Sequence, residues 1–184
     1  MPIGVVNLSE RHGGREVDDT VFEAMVAEAA GHLDAFPDAE GLDRAVADGG
    51  FHMLGTSGTV TTLAGVHLCL DRYDRSRVDG LWMTDAEIGA MMRQLRQADF
   101  AARVANPCIG EDRADLVLAG CAILEALRRR WRCDRMRVAD RGLREGILVE
   151  LMSADHVWRR RRRRHSRGGG APADGAASGE AGNG

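Results

Sequence analysis

Phe51-His52-Met53-Leu54-Gly55-Thr56-Ser57-Gly58-Thr59-Val60-Thr61-Thr62-Leu63-Ala64 joins a short apolar run to a glycine- and hydroxyl-rich turn and a second apolar run. Phe51 to Leu54 predicts a strand, stopped by a glycine. From about Thr59 to Leu70 the pattern predicts a helix. A strand that becomes a helix through Gly55-Thr56-Ser57-Gly58-Thr59 presents unpaired N–H groups at the helix start, with the helix dipole behind them. That arrangement favours phosphate or carboxylate, and the two glycines let backbone approach a ligand closely. Ser57 or Thr59 acting as a plain helix cap accounts for the hydroxyls without any ligand.

Upstream, Pro2-Ile3-Gly4-Val5-Val6-Asn7-Leu8 is rich in β-branched residues and predicts a strand before the Gly13-Gly14 turn. Asp18 or Asp19 caps a helix with Val21, Phe22, Met25, Val26, Ala29 and Leu33 at helical spacing, ended by Pro37. Gly41 to Gly50 reads as a short helix and a loop. Downstream, Leu70 to Gly80 reads as a loop, and Thr84-Asp85-Ala86-Glu87 fits a capping box. Ile88, Met91, Met92 and Leu95 line the helix behind it. Phe100 to Val104 forms a short helix before Asn106-Pro107. Asp112 opens a long helix with the stripe Leu116, Val117, Gly120, Ile123, Leu124, Leu127 and Trp131. Arg135 to Ala139 is a third strand, and Asp140-Arg141-Gly142 turns into a last helix ending near Trp158. Strands alternating with helices predict an α/β layer with helices on a small sheet.

The composition narrows the chemistry. All 25 basic residues are arginine. With no lysine, the chain has neither a Walker-type phosphate loop nor Schiff-base chemistry. Cys69, Cys108, Cys121 and Cys133 lack zinc-ligand spacing, and Cys69 and Cys121 read as small buried side chains. No apolar run approaches the length of a membrane span and no signal pattern opens the chain, so a soluble, cytoplasmic protein is expected. Residues 1–158 hold 18 arginines and 26 acids, net −8, whereas residues 159–184 hold 7 arginines and 2 acids, net +5. The second segment is low in complexity and is expected to be a disordered Arg/Gly-rich tail. Its run Arg159 to Arg164, with Arg167, suits weak, salt-sensitive binding of RNA or polyphosphate. A merely solubilising tail is the plainer reading.

Other polar residues have ordinary explanations. Asp140 stands where it orients a metal-bound water or caps a helix, the cap being the simpler role. Glu111 and Asp112 suit a helix start. Arg141 and Arg144 reach toward a polyanion or pair with Glu145 or Asp140. His52 and His67 read as structural, and no nucleophile–base pair stands out, so no catalytic residue and no metal ligand are assigned.

Gly55 to Ala64 is similar to the second glycine-rich loop of the Ppx/GppA phosphatases, exopolyphosphatases and guanosine pentaphosphate phosphohydrolases of the actin-like ATPase superfamily. Ile109-Gly110-Glu111-Asp112-Arg113-Ala114-Asp115 resembles the family's stretch before its long helix. Val138-Ala139-Asp140-Arg141-Gly142-Leu143-Arg144-Glu145-Gly146-Ile147-Leu148 resembles its closing strand and helix, and Pro2-Ile3-Gly4 the strand before its first helix. The likeness spans about Pro2 to Trp158. It implies the second half of an actin-like (ribonuclease H-like) ATPase fold lacking its first two strands, as a partial phosphatase domain over residues 1–158. It implies phosphate binding by Gly55, Thr56, Ser57, Gly58 and Thr59, and hydrolysis of terminal phosphoanhydrides of polyphosphate or guanosine pentaphosphate with Mg2+ in the full-length enzyme. The family's Asp-Ile-Gly-Gly-Gly-Ser loop and its water-positioning glutamate have no counterpart in this chain. The chain alone is therefore expected to bind no metal and to be inactive. The alternative is a non-catalytic polyanion-binding or interaction module.

Overall fold

The computed structural model describes residues 3–49 and 51–154. The expectations for the arginine-rich tail, and for the last helix beyond Ala154, fall outside those residues. The chain divides into two compact units, Met1–Gly142 and Leu143–Gly184.

In the first unit the elements run α1 (Val5–His12), α2 (Asp19–Asp34), α3 (Ala39–Ala47), β1 (Met53–Gly55), α4 (Gly58–His67), α5 (Arg75–Val78) and β2 (Trp82–Thr84). They continue with α6 (Asp85–Gln97), α7 (Phe100–Ala105), a 3-10 turn (Glu111–Arg113), α8 (Val117–Arg130) and β3 (Arg135–Val138). The sheet has the order β1-β3-β2. β1 pairs with β3 in parallel, Met53 opposite Met136 and Gly55 opposite Val138. β2 pairs with β3 antiparallel, Trp82 opposite Arg137 and Thr84 opposite Arg135. The fold is α/β on a small mixed sheet.

Period-two alternation divides the sheet into unlike faces. Met83, Met136 and Val138 point into the core, while Trp82, Arg135 and Arg137 point out. The core is filled by Phe22, Met25, Val26, Ala29 and Leu33 of α2, Leu63 and Ala64 of α4, Met92 and Leu95 of α6, and most of α8. Burying each of the larger of these side chains contributes about 1.5–3 kcal/mol. The capping expectations are met in detail. Asp18 accepts from the Val21 N–H at 2.8 Å. Thr84 and Glu87 form the reciprocal capping box of α6.

Several elements differ from their sequence reading. The segment through Leu8 is not a strand from Ile3: Val5–His12 is helical, closed by Gly13 at φ 83°. Helical geometry buries Leu8 and Ser9 together and lets the Ser9 hydroxyl donate to the Asp115 carbonyl at 2.9 Å. That tertiary packing outweighs the β preference of Val5 and Val6. β2 carries no strand signal because three residues show no alternation; its partner β3 makes it a strand. α5 interrupts the stretch read as loop. The long helix begins at Val117, not Asp112, because Gly110 takes φ 72° and Glu111–Arg113 forms a separate 3-10 turn. α8 is also buried well beyond its apolar stripe, with Leu118, Ala119, Cys121 and Ala122 at most 1% exposed. Cys121 is buried as expected; Cys69 is exposed, at φ 49° beyond the end of α4, and all four cysteines are free.

Arg103 closes α7 onto the core. It is 4% exposed and donates to three carbonyls, Ala98 at 2.6 Å, Arg15 at 2.8 Å and Ala114 at 3.2 Å. The second unit contributes α9 (Leu143–Ala154), on which Leu143, Ile147, Leu148, Val149 and Leu151 are exposed. Among the described residues no helix is long and apolar enough to cross a membrane.

Candidate functional site

Gly55 to Thr59 connects the C-terminal end of β1 to α4, beside the C-terminal end of the parallel strand β3. The Ala139 N–H donates to the Gly55 carbonyl at 2.9 Å, so the loops that follow the two strands start side by side. In open α/β sheets this edge is where ligands bind.

Ser57 is the N-cap of α4: its hydroxyl accepts from the Val60 N–H at 3.3 Å and its carbonyl from the Thr61 N–H at 3.1 Å. The Thr61 hydroxyl donates to the Gly58 carbonyl at 3.1 Å. The cap and an anion cradle are compatible here. The N–H groups of Gly58 and Thr59 donate to no group among the described residues, and Thr56, Ser57 and Gly58 are exposed.

The two glycines have different reasons, and neither is a positive φ. A Cβ on Gly55 would lie 2.7 Å from a Val60 methyl and 3.0 Å from the Met136 sulfur. A Cβ on Gly58 would meet only the Arg113 guanidinium, at 3.7 Å. Gly55 is thus required by packing, while Gly58 leaves open space before the helix N-terminus.

Besides a smaller concavity of about 260 Å³ lined by Ser57, Gly58, Thr59, Thr62 and Arg113, two larger ones flank the loop. One, of about 600 Å³, is largely apolar and is lined by Phe51, Ile123, Leu127 and Trp131 besides Thr56 and Ser57. The other, of about 350 Å³, gathers Thr56, Gly58, Thr61, Tyr73, Arg113 and Asp140. The second has the chemistry for an anion: hydroxyls, a guanidinium and the exposed helix start.

Asp140 has its carboxylate engaged. It accepts from the Tyr73 hydroxyl at 2.8 Å and lies 3.5 Å from the Arg75 guanidinium. Its own N–H donates to Asp79 at 3.0 Å, and Asp79 also pairs with Arg141 at 2.8 Å. The arginines hold Asp79 below the usual carboxylate range, the Arg141 hydrogen bond being the largest cause. Burial, helped by the bond to Asp140, pushes Tyr73 up to about 12, so its phenol is a neutral donor. His67 lies 3.7 Å from Glu87, and His52 packs edge-on to Trp82, both away from this cleft. Glu111 and Asp112 sit in the 3-10 turn that delivers Arg113.

Sequence reasoning missed two residues of this cleft, Arg113 and Tyr73. Arg113 follows two acidic residues whose fit to a helix start explains the segment without it. Tyr73 falls in a stretch that reads as loop, and no periodicity marks it.

A parallel-strand edge carrying a hydroxyl-rich loop at a helix start, with an arginine beside it, belongs to an α/β protein whose site has the chemistry to suit an anion. The chain belongs to the Ppx/GppA phosphatase family, whose family model matches residues 1–155. It is similar to the crystal structure of an Aquifex aeolicus member of that family, at 24% identity and TM-score 0.69, over 84% of this chain and 48% of that one. It is also similar to the type II variant of the Aquifex aeolicus Ppx/GppA phosphatase, at 26% identity and TM-score 0.64, over 83% and 48%. An exopolyphosphatase from Cytophaga hutchinsonii shares the fold at 20% identity and TM-score 0.66, over 84% of this chain and 49% of that one. The chain thus spans about half the length of these solved relatives. No curated protein matches it.

Proposed function

We propose that this chain carries the phosphate-binding loop of a phosphoanhydride hydrolase acting on polyphosphate or guanosine pentaphosphate, within the second half of an actin-like fold. Family membership supports phosphatase chemistry, and the Cytophaga hutchinsonii relative, an exopolyphosphatase, points to polyphosphate. The observation that carries the reading is the pair of undonated N–H groups at Gly58 and Thr59, two residues that line one concavity with Arg113. Gly55, Thr56, Ser57, Gly58 and Thr59 form the cradle. Gly55 allows the close packing, Ser57 fixes the helix start, Gly58 and Thr59 donate from backbone, and Arg113 supplies positive charge without a proton to lose.

Mg2+ in a family enzyme neutralises charge on the phosphates. Among the described residues no three His, Cys, Asp or Glu side chains cluster as a metal site, and Asp140 is committed to Tyr73 and Arg75. The described side chains do not fit the ion by themselves, so the role assigned to this chain is phosphate binding and orientation. The arginines of residues 159–184 add a weak, salt-sensitive attraction for RNA or polyphosphate.

Isothermal titration of the protein with inorganic pyrophosphate tests the reading. Saturable binding, displaced by short-chain polyphosphate, is expected. Absence of binding to the wild-type chain would overturn the loop assignment.

A further inference from the structure

The outward face of the sheet carries a group of side chains that the phosphate loop does not use. Its six outward positions are His52 and Leu54 beside β3 on one side, Arg135 and Arg137 on β3, and Trp82 and Thr84 on β2. None of the six is acidic. Leu54, Arg137 and Trp82 form one row across the three strands.

Trp82 organises the face. The residue is 38% exposed, with the Arg135 guanidinium 4.5 Å and the Arg137 guanidinium 5.5 Å from its ring centroid. Across the middle strand the His52 ring meets it edge-on, at 5.0 Å between centroids. Beside them Leu54 is 61% exposed. No described carboxylate pairs with Arg135 or Arg137. Glu87, the acid that reaches β2, is taken by the Thr84 N–H at 2.7 Å and its hydroxyl at 2.8 Å. Elsewhere in the unit arginines are paired repeatedly: Arg128 with Asp85 and Glu125, Arg129 with Glu23, and Arg130 with Asp43.

Two cations held together on alternate residues of one strand repel each other, and here an aromatic ring, not a counter-ion, holds them. An anion is the complement that removes the repulsion. A cationic pair alone would suit any polyanion. Exposed Trp82, His52 and Leu54 between and beside the cations offer flat, apolar area that a bare phosphate chain does not use. Aromatic rings flanked by arginines on an open sheet are a platform on which bases stack while guanidinium groups take the intervening phosphates. We infer that the outward face of this sheet, centred on Trp82, Arg135 and Arg137, binds single-stranded nucleic acid. Trp82, Arg135 and Arg137, at its centre, line none of the concavities that flank the phosphate loop.

The test uses the full chain, so that the arginines of residues 159–184 contribute equally throughout. Binding of a fluorescein-labelled oligouridylate of about 12 nucleotides, a length within known single-strand site sizes, is followed by anisotropy across a salt series. Arg135→Gln/Arg137→Gln is expected to lower the slope of log affinity against log salt by about 1.4, since each phosphate contact to a single strand contributes about 0.7. Trp82→Ala is expected to weaken oligouridylate binding about tenfold while leaving the affinity for inorganic polyphosphate unchanged. All these positions are exposed, and an unchanged melting curve for the arginine variant confirms that its fold is intact. A 4-thiouridine oligonucleotide is expected to crosslink to the peptide that contains Trp82. The inference fails if both variants keep wild-type affinity and slope, or if crosslinks fall only on other peptides. Equal loss of polyphosphate and oligouridylate binding in Trp82→Ala would make the face a simple polyanion patch and would likewise overturn it.

Discussion

Gly120 of α8 faces Thr59 so closely that a Cβ built on it would lie 2.0 Å from the threonine hydroxyl oxygen and 2.9 Å from the threonine Cβ. The central helix therefore sets the position of the Gly55–Thr59 loop from behind. Thr59 has no long side chain to swing aside, so an added methyl group must displace backbone. Gly120→Ala is expected to destabilise the fold by about 1–3 kcal/mol, the usual cost of overpacking, and to weaken pyrophosphate binding. Urea denaturation with titration of the same samples measures both. Thr59→Gly in the same chain should restore part of the stability, and no recovery would place the clash elsewhere.

The loop glycines and Ser57 should separate by role. Ser57→Ala removes a helix cap and costs about 1 kcal/mol of stability, yet leaves the Gly58 and Thr59 N–H groups in place. Gly58→Val fills the space before those groups and before Arg113. Pyrophosphate affinity is therefore expected to fall more in Gly58→Val than in Ser57→Ala, and equal affinity across wild type and both variants refutes the assignment.

Tyr73 is the chain's single tyrosine, so its titration is read directly from phenolate absorbance. Its pKa is raised to about 12 by burial first and by the bond to Asp140 second, against about 10 in an unfolded chain. The folded state thus holds the proton more tightly. The stabilisation is whole below about pH 10 and is lost as pH rises toward 12. Tyr73→Phe should flatten the fall in stability over that window, and a phenol that ionises near pH 10 in the native protein would contradict the geometry.

Arg103 satisfies three carbonyls at once and forms no ion pair with a carboxylate among the described residues. Arg103→Met leaves those acceptors without their donor, at about 1–3 kcal/mol for each that water does not reach. Because Ala114 follows Arg113 directly, the same change should loosen the segment that brings Arg113 to the cleft. A lowered melting temperature together with weaker pyrophosphate binding is expected. Loss of stability with full binding would show that Arg113 is held independently.

Among the described residues no group of three His, Cys, Asp or Glu side chains could hold a metal ion, so the purified chain with Mg2+ is predicted to release no phosphate from polyphosphate or guanosine pentaphosphate at ordinary enzymatic rates. Turnover of roughly 1–10³ s⁻¹ would show that the residues assigned to binding also activate water.

The sequence by itself determined the local units whose signals are short-range. The Thr84–Glu87 capping box, the Asp18 cap, the strand–loop–helix at Gly55 to Thr59 and the strand before Ala139 each follow from residues within one or two turns of one another. The family motifs are legible for the same reason, as contiguous runs. What only the tertiary structure decided depends on contacts between distant residues. Val5 and Val6 prefer strand, yet α1 is helical because that geometry lets Ser9 reach Asp115 and buries Leu8. β2 is a strand only through its pairing with β3, and Gly55 is demanded by Val60 and Met136 and not by a turn. Arg113 and Tyr73 enter the cleft because a 3-10 turn and a loop carry them beside α4, and neither placement leaves a periodicity in the sequence. Short-range hydrogen bonding is written in neighbouring residues, whereas packing and site assembly are free energies of pairs far apart in the chain.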